Sequence, residues 1–434
     1  MTAMKRILIL LSLLAVASCH GRDHGTPEPR YRHILLRDFR TVYDGRVINY
    51  NIGTAAHGPA TLNVLKKHLP ADVDITIWAS APLDSTLSAM MERRFPEVRI
   101  VCGQYDNPSE ASPELRDAVA ESDLFLVSSG SGIAVGPSLE QYRKHTSKPS
   151  GAYAIGYAGS EDKYLRGMDF AWFRDEISAG LAKKKDTTPP VAGWAPDAVF
   201  DFDCTDEAGA AGFMKAHGLS DRGFICCIPG FRYTPRWEFF GGHVNSKKQA
   251  KNDECLDRDN DILRRTIIET VRERGLKVLI CAEQIPEVRL CKELVYDRLP
   301  EDVKPFCTYL ETLWAPDLAL SVYMHSLCVY GIEMHSQVMA AGNGVPAVVL
   351  RHSGFGNKSD MWNTIGLGEW LLDIDEDGAS DRASAVIRSI IENPGAAEAR
   401  LARAREIIDS AANEAVRRSF LICGENEIRT RETL

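Results

Sequence analysis

The sequence contains no hydrophobic run long enough for a transmembrane helix, which needs about 20 predominantly apolar residues. None of its 11 cysteines forms a C-x-x-C pair, and its 11 histidines do not follow metal-ligand spacing. We therefore expect no metal site. Acidic residues outnumber basic ones, 60 to 51, and the resulting net charge of −9 disfavours sequence-independent binding to nucleic acid. Internal repeats and low-complexity segments are also lacking.

The chain has 434 residues, which suggests two domains, and 44% of them are hydrophobic. Short apolar runs alternate with amphipathic segments, a pattern that predicts an α/β protein with parallel sheets. We predict two facing Rossmann-like domains with a cleft between them. The predicted parts are an N-terminal domain at 31–200, a linker at 201–222, a C-terminal domain at 223–394 with a mobile insertion at 231–259, and a helix at 395–434 that packs back.

The N-terminus resembles an export signal. A basic start is followed by about eleven apolar residues, and Val16-Ala17-Ser18-Cys19 resembles the bacterial lipobox. We predict a signal peptide at 1–19, lipidation at Cys19 and a polar tether at 20–30. The protein would then be an exported lipoprotein of the cell envelope, associated with the membrane. An ordinary cleaved signal peptide or a short membrane anchor remains the alternative.

The stretch 331–358 combines a histidine, a small-residue helix and a basic loop. Residues 335–341 read as a helix that begins at His335, and 345–350 read as a buried parallel strand. Arg351, His352 and Lys358 follow that strand. A helix N-terminus attracts anions, and ligands of open α/β sheets bind at the carboxyl ends of strands. The simpler alternative is a capped helix beside a solvated basic loop.

Further candidate residues also lie at predicted strand ends. Ser129, Gly130 and Gly132 follow a strong strand, where small residues let a ligand approach the backbone. Arg174 stands between a strand and a helix, and Asp197 lies in a Pro-Asp turn. Each feature has an ordinary structural explanation, a tight loop or an exposed ion pair.

Together, the order of these motifs resembles the polysaccharide pyruvyl transferase family. SSGSGI matches the glycine-rich turn, FRDEIS the Arg-Asp turn with its Ser-bearing helix, and APDAVF the Pro-Asp turn. EMHSQVMAAGNGVPAVVLRHSGFGNK matches the His-containing helix, the Gly-x-Pro strand and the late Lys. The resemblance covers roughly residues 49–372. Two departures are visible: Glu333-Met334 stands where the family has Arg-Leu, and residues 52–55 lack its usual Gly-Asp.

The resemblance implies a GT-B-like fold and a transferase that places a pyruvyl group from phosphoenolpyruvate on a sugar of a cell-surface polysaccharide as a ketal. It implies His335 as the essential histidine and Arg174 as the donor-binding arginine, with Lys358 or Arg351 as the second cation. General acid–base help from a histidine typically accelerates a reaction about 10²–10⁴-fold. No cofactor is expected; the partners are a small-molecule donor, a saccharide acceptor and the membrane. A nucleotide-sugar glycosyltransferase and a non-catalytic surface lipoprotein on the same frame are the alternatives.

Overall fold

The computed structural model describes residues 28–422. Cys19 and the predicted signal peptide lie outside the described residues, as does the tether up to residue 27. Residues 28–29, at the end of the predicted tether, belong to the fold: strand β1 (Glu28–Pro29) pairs antiparallel with β17 (Leu421–Ile422). Within the described part of the chain, no helix is long and apolar enough to cross a membrane.

The first half of the chain forms a seven-stranded parallel sheet, in the order β10-β9-β8-β7-β2-β5-β6. Its central strands are short runs of buried apolar residues, as expected where helices cover both faces of a parallel sheet. A separate two-stranded hairpin, β3 (Val42–Tyr43) and β4 (Arg46–Val47), projects after the first sheet strand. The sheet strands are β2 (His33–Arg37), β5 (Asp74–Ala79), β6 (Ile100–Cys102), β7 (Leu124–Val127), β8 (Ser150–Ile155), β9 (Phe170–Phe173) and β10 (Val191–Trp194).

Helices connect these strands, and the N-terminal part of the first helix is buried in the centre of the molecule. Asn51 caps it, since its side chain accepts a hydrogen bond from the Thr54 amide. Small residues then allow close packing, and most of the first three turns are buried. The helices of this half are α1 (Ile52–His68), α2 (Ser85–Arg94), α3 (Pro113–Glu121), α4 (Gly136–Thr146), α5 (Asp162–Leu165) and α6 (Glu176–Lys184).

The second half forms a six-stranded parallel sheet, in the order β13-β12-β11-β14-β15-β16. Like the first sheet, it is built from short apolar runs, such as FICCI and AVVLR, joined through helices. Its strands are β11 (Phe224–Ile228), β12 (Lys277–Ile280), β13 (Cys307–Tyr309), β14 (Val329–Gly331), β15 (Ala347–Arg351) and β16 (Leu371–Asp373).

These two sheets, each flanked by helices, are the two Rossmann-like units of a GT-B-like arrangement, and the predicted fold class is confirmed. The exact domain boundaries stay a prediction. The helices of the second half are α7 (Glu207–Ala216), α8 (Trp237–Phe240), α9 (Ser246–Arg274), α10 (Val288–Leu290), α11 (Pro316–Met324), α12 (His335–Gly342), α13 (Met361–Thr364), α14 (Ala379–Glu392) and α15 (Pro394–Phe420).

The segment 231–259 differs from the expected mobile insertion. Its second part belongs to α9, a single 29-residue helix capped by Asn245, whose side chain accepts the Lys248 amide. Cys255 and Asp259 of this part are buried. The helix was missed because its first turns carry few apolar residues and are supported by polar pairs, such as Gln249–Asp253 at 2.7 Å.

The long helix α15 contacts the first half of the molecule. Trp172 Nε1 donates a hydrogen bond to Ser419 Oγ at 2.7 Å, and Lys67 pairs with Asp409 at 2.6 Å. One continuous cluster of buried apolar side chains includes residues of both sheets. The two halves are therefore packed together through a shared apolar core.

Candidate active site

A polar cavity of about 320 Å³ opens between the two halves, at the carboxyl ends of their strands. Ordinary small-molecule sites begin at about this size. Both halves contribute charged and titratable side chains to its wall: Arg40, His57, Arg174, Arg232, Arg236, Glu333, His335, His352 and Lys358.

His335 is the first residue of α12, and a buried carboxylate orients it. Its Nδ1 lies 2.8 Å from Glu283 Oε1. A carboxylate only accepts hydrogen bonds, so Nδ1 carries the proton and Nε2 is left as a proton acceptor. Burial opposes ionisation of Glu283, but His335 and the other nearby donors outweigh it and lower the pKa of the carboxyl below its usual value.

The N-terminus of α12 differs from the predicted anion site. Glu283 Oε2 accepts hydrogen bonds from the Ser336 amide at 2.8 Å and from the Ser336 hydroxyl at 3.0 Å. Glu283 therefore caps this helix from the loop after β12, and it occupies one of the N–H groups that were expected to attract an anion.

A glycine makes room for the histidine ring. A Cβ atom built on Gly53, in the first turn of α1, would lie 2.0 Å from Cγ of His335. No real Cβ contact is that short, so a side chain here would displace the imidazole. The unusually small residues at the start of α1 thus have a definite function in the structure, the accommodation of His335 from the other half.

Arg174 enters the cavity from the end of β9. Asp175 holds the turn by capping α6, since its carboxylate accepts the Ser178 amide at 2.7 Å. Arg174 itself is only 6% exposed, and its Nη1 donates to Asp197 Oδ2 at 2.9 Å. Its Nε is buried without a hydrogen-bond partner. A buried guanidinium N–H without a partner is costly, unless a ligand supplies the acceptor.

Asp197 joins Arg174 to the histidines beneath the cavity. Its Oδ1 lies 3.4 Å from His57 Nδ1, and the His57 and His335 rings meet edge to face at 5.2 Å. Burial lowers the pKa of His57 to about 3, so this imidazole is neutral at physiological pH. Burial disfavours the ionised form of Asp197, but His57 and Arg174 outweigh it and lower the pKa of Asp197. Asp197 is thus a buried carboxylate that positions the Arg174 guanidinium in the wall of the cavity.

The predicted glycine-rich ligand loop supports the cavity from behind. Ser129 Oγ donates to the Ala154 carbonyl at 3.0 Å and lies 3.2 Å from Asp197 Oδ1. Gly130 admits Arg40, because a Cβ there would lie 2.9 Å from Arg40 Nη2. Gly132 similarly packs against Glu161. Ser131, between the two glycines, is the member of this loop that lines the cavity.

Of the two alternative cations, the structure brings Lys358 to the cavity and not Arg351. Lys358 lines the wall, with its Nζ 3.8 Å from Glu333 Oε2. Arg351 points to the neighbouring strand, where its Nε lies 3.3 Å from Asp373 Oδ2. This difference follows from the strand pairing, since residues 351 and 373 are register partners in β15 and β16.

Sequence reasoning missed several residues of this site. One of them is Arg40. Like Arg174, it has a buried guanidinium nitrogen, Nη1, without a hydrogen-bond partner. His57 and Glu283 were missed because their motifs are unremarkable in the sequence. Glu333 was noted only as a departure from the family motif. An ionisable residue directly after a predicted strand, such as Glu283 in VLICAE, is the signal that would have found one of them.

Aromatic side chains from both halves form one rim of the cavity. Tyr43 and Tyr50 come from the hairpin region, and Phe239 and Phe240 come from α8. The ring centroids of Tyr43 and Phe239 are 4.8 Å apart, and those of Tyr50 and Phe240 are 4.6 Å apart. Tyr43 is 47% exposed and Phe240 39% exposed, so the cluster presents ring surface to solvent.

A metal-ligating arrangement was not expected from the sequence, but three side chains here approach one. The potential ligand atoms of His57, Asp197 and His335 lie within 4.8 Å of one another. Arg174 binds the same carboxylate and opposes the approach of a cation. Spacing along the chain could not reveal this group, since its members are more than a hundred residues apart.

Two solved structures with a similar fold contain bound UDP or UDP-glucose. The chain is similar to Anabaena Alr3699/HepE in complex with UDP-glucose at 13% identity, with a TM-score of 0.51 and coverage of 93% of this chain and 100% of that one. It is similar to S. aureus MnaA with UDP at 12% identity and TM-score 0.51, covering 88% and 94% of the two chains. At such identities the likeness shows the fold alone.

A putative UDP-N-acetylglucosamine 2-epimerase from Listeria monocytogenes has the same arrangement, at 13% identity and TM-score 0.50, with 88% of this chain and 92% of that one covered. No curated protein matches the sequence. The family model for polysaccharide pyruvyl transferase, however, matches residues 51–354, which include Arg174, His335 and the intervening wall of the cavity. The chain therefore belongs to the polysaccharide pyruvyl transferase family and is a transferase.

Proposed function

We propose that this protein transfers a pyruvyl group from phosphoenolpyruvate to a sugar of a cell-surface polysaccharide and forms a ketal. The observation that carries the proposal is the pairing, across one cavity, of Arg174 with its unpartnered buried Nε and His335 held by Glu283. The first is suited to bind an anion and the second to transfer a proton.

The cations of the cavity match the charges of phosphoenolpyruvate, which carries a carboxylate and a phosphate. Arg40 and Arg174 come from the first half, and each has a buried N–H without a partner. Guanidinium groups bind carboxylates and phosphates through paired N–H donors. Lys358 supplies a point charge from the second half. In this proposal the donor bridges the two halves.

The acid–base group is His335. Its Nδ1–H is held by Glu283, so Nε2 is available to accept the proton of an acceptor hydroxyl as that hydroxyl adds to the donor. The neighbouring His57 is neutral and does not compete as a cation. This arrangement supports His335 as a general base with a defined tautomer, in which Nε2 is the atom that accepts the proton.

The saccharide acceptor lies, in this proposal, against the aromatic rim. The exposed faces of Tyr43 and Phe240 suit the C–H face of a pyranose ring, while the polar cavity lies beside them. A sugar placed there would direct its hydroxyl groups inward. The ring surface that is exposed in this rim belongs to both halves, so an acceptor would contact both.

Calorimetric titration of residues 20–434 with phosphoenolpyruvate tests the donor assignment. We expect binding that Arg174→Ala weakens at least tenfold, because a charge-assisted pair is lost. Inorganic phosphate, pyruvate and UDP-glucose are the comparison ligands. Tighter binding of UDP-glucose than of phosphoenolpyruvate would favour a nucleotide-sugar glycosyltransferase and overturn the proposal.

A further inference from the structure

His352 is a second histidine in the wall of the cavity, and its tautomer is the opposite of that of His335. It directly follows β15, lines the cavity and is only 4% exposed. The Gly354 amide donates a hydrogen bond to its Nδ1 at 3.1 Å. Because a backbone N–H only donates, this Nδ1 carries no proton, and in the neutral ring the proton is on Nε2. Among the described residues, Nε2 has no hydrogen-bond partner.

The environment of His352 keeps its ring neutral. Burial, with smaller contributions from the nearby Arg232 and Lys358, lowers the pKa of His352 to about 4. Asp259 and Asp375 act in the opposite direction but do not compensate. The side chain is therefore an uncharged hydrogen-bond donor at physiological pH. Such a donor can bind an anionic oxygen without first taking up a proton.

The loop after His352 is fixed by its own hydrogen bonds. The Ser353 amide donates to Asp375 Oδ2 at 3.0 Å, and the Phe355 amide donates to the His352 carbonyl at 2.9 Å. With the Gly354 amide bound to Nδ1, the three backbone donors that follow His352 are all used within the protein. The imidazole Nε2–H therefore remains for a ligand.

Arg232 also lines the cavity, but two carboxylates occupy its guanidinium. Its Nε and Nη2 donate to Asp259 at 2.6 and 3.0 Å, and its Nη1 donates to Asp375 at 3.0 Å. Lys358 differs, because its nearest carboxylate oxygen, on Glu333, lies 3.8 Å from Nζ, beyond hydrogen-bond distance. Lys358 thus keeps N–H donors for an anion, whereas Arg232 does not.

One aromatic ring supports both His352 and Lys358. The His352 and Phe355 rings meet edge to face, with their centroids 5.3 Å apart. Lys358 Nζ lies 4.4 Å from the centroid of the same Phe355 ring, within the range of a cation–π contact. A neutral donor and a cation from one loop are therefore held next to each other in the wall of the cavity.

We propose that His352 Nε2–H and Lys358 Nζ form a phosphoryl subsite in the second half of the molecule. The inference rests on the proposed function and deepens it, since it assigns the phosphate of the donor to this half and the carboxylate to Arg174. A tetrahedral phosphoryl group accepts hydrogen bonds from several directions, so it suits two separate donors, whereas a planar carboxylate matches the paired donors of a guanidinium. The unpartnered Arg174 Nε independently indicates that a ligand occupies this cavity.

Two substitutions separate the donor to the ligand from the support of the loop. The side-chain oxygen of asparagine lies as many bonds from Cα as histidine Nδ1, and the side-chain nitrogen of glutamine lies as many bonds away as Nε2. His352→Asn therefore keeps an acceptor for the Gly354 amide but lacks a donor in place of Nε2. His352→Gln keeps that donor and lacks that acceptor. His325→Asn, at a histidine outside the cavity wall, is the control.

Calorimetric titration of these variants with phosphoenolpyruvate, inorganic phosphate and pyruvate tests the subsite. We expect His352→Asn to weaken binding of the two phosphorylated ligands roughly tenfold or more, because a hydrogen bond to a charged group is lost. Binding of pyruvate should change less than about threefold. His352→Gln should keep the affinity for phosphoenolpyruvate within about threefold, whereas a purely structural role of His352 predicts the reverse order of the two variants.

Equal affinity of His352→Asn and the unmodified protein for phosphoenolpyruvate would overturn the subsite and leave the proposed function in place. An equal loss for pyruvate and phosphoenolpyruvate would also overturn it, since the carboxylate would then bind here. Binding of UDP-glucose but not of phosphoenolpyruvate, with the same loss in His352→Asn, would instead overturn the proposed function and support the subsite.

The tautomer can be measured without any ligand. Long-range proton–nitrogen correlation spectra of the full chain with isotope-labelled histidine should contain, at neutral pH, a neutral His352 ring protonated at Nε2. The loss of its signals in His352→Asn assigns them. A ring protonated at Nδ1, or at both nitrogens, would overturn the proposal.

Discussion

Glu283 and His335 come from different loops of the second sheet, yet the buried carboxylate of one binds Nδ1 of the other at 2.8 Å. The same carboxylate caps the helix that His335 begins. One residue thus determines the tautomer, the ring orientation and the position of the helix. This relationship makes His335 a candidate base with Nε2 as the reactive atom.

Substitution at this pair should affect catalysis more than binding. We expect His335→Gln to lower kcat by roughly 10²–10⁴-fold, the range typical of lost acid–base catalysis, and to leave the affinity for phosphoenolpyruvate within about threefold. Glu283→Gln should also lower kcat, because an amide can present its oxygen or its nitrogen to Nδ1. Unchanged kcat in His335→Gln, measured as phosphate release, would exclude the base assignment.

Variants of Arg174 and Asp197 distinguish the effect of Arg174 on stability from its effect on donor binding. Arg174→Ala leaves a buried carboxylate without its cation and should cost about 3–5 kcal/mol of unfolding free energy in urea titrations. The double variant Arg174→Ala/Asp197→Asn should recover part of that stability, since the unpaired charge is gone. It should not recover affinity for phosphoenolpyruvate. Recovery of both would mean that Arg174 acts only through the fold.

The neutral buried His57 predicts a pH dependence of stability. Its folded pKa of about 3 lies below the ordinary value near 6.5, so between these values the unfolded chain binds the additional proton. Stability should therefore fall as the pH falls from about 6 to 4, with a contribution of up to about 1.4 kcal/mol per pH unit. His57→Gln should reduce that slope. Asp197 contributes at lower pH, because its stabilisation is lost as the pH falls from the ordinary carboxyl pKa towards its depressed folded pKa.

Gly53→Ala should abolish activity even though alanine favours a helix by about 1 kcal/mol over glycine. The new Cβ would occupy the place of the His335 ring. Gly180→Ala in α6 is the matched control, because a Cβ there meets no atom within 4 Å, and it should be neutral or stabilising. Comparison of kcat and melting temperature for the two variants checks this. Full activity in Gly53→Ala would show that the ring can move without consequence.

The resemblance of residues 16–19 to a lipobox predicts an anchored protein. Cys19→Ser removes the thiol that would be acylated, so the chain should appear in the soluble or unprocessed fraction instead of the membrane fraction. Ser18→Thr, which keeps the cysteine, is the control. Fractionation followed by immunoblotting measures the distribution. Equal membrane association of the two variants would count against lipidation at Cys19.

Short-range patterns in the sequence were sufficient for the two sheets. A strand that is buried on both faces is a short continuous apolar run, such as LFLV or AVVLR. This pattern is local, so it can be predicted from the sequence. The helix α9 escaped prediction between residues 246 and 259, where polar pairs replace the apolar stripe. The predicted insertion at 231–259 therefore contains, from residue 246 on, the first part of this helix.

The sequence by itself determined the α/β class, the strand ends at which Arg174 and His335 lie, and the family motifs that join them. Only the tertiary structure decided which groups meet there. Glu283, Glu287 and Glu333 become one network with His335 because β12 and β14, the parallel strands on either side of β11, bring loops far apart in sequence to one sheet edge. The tautomer of His335, the placement of Lys358 rather than Arg351 at the cavity and the space that Gly53 leaves for His335 all depend on burial and contact, which no local pattern encodes.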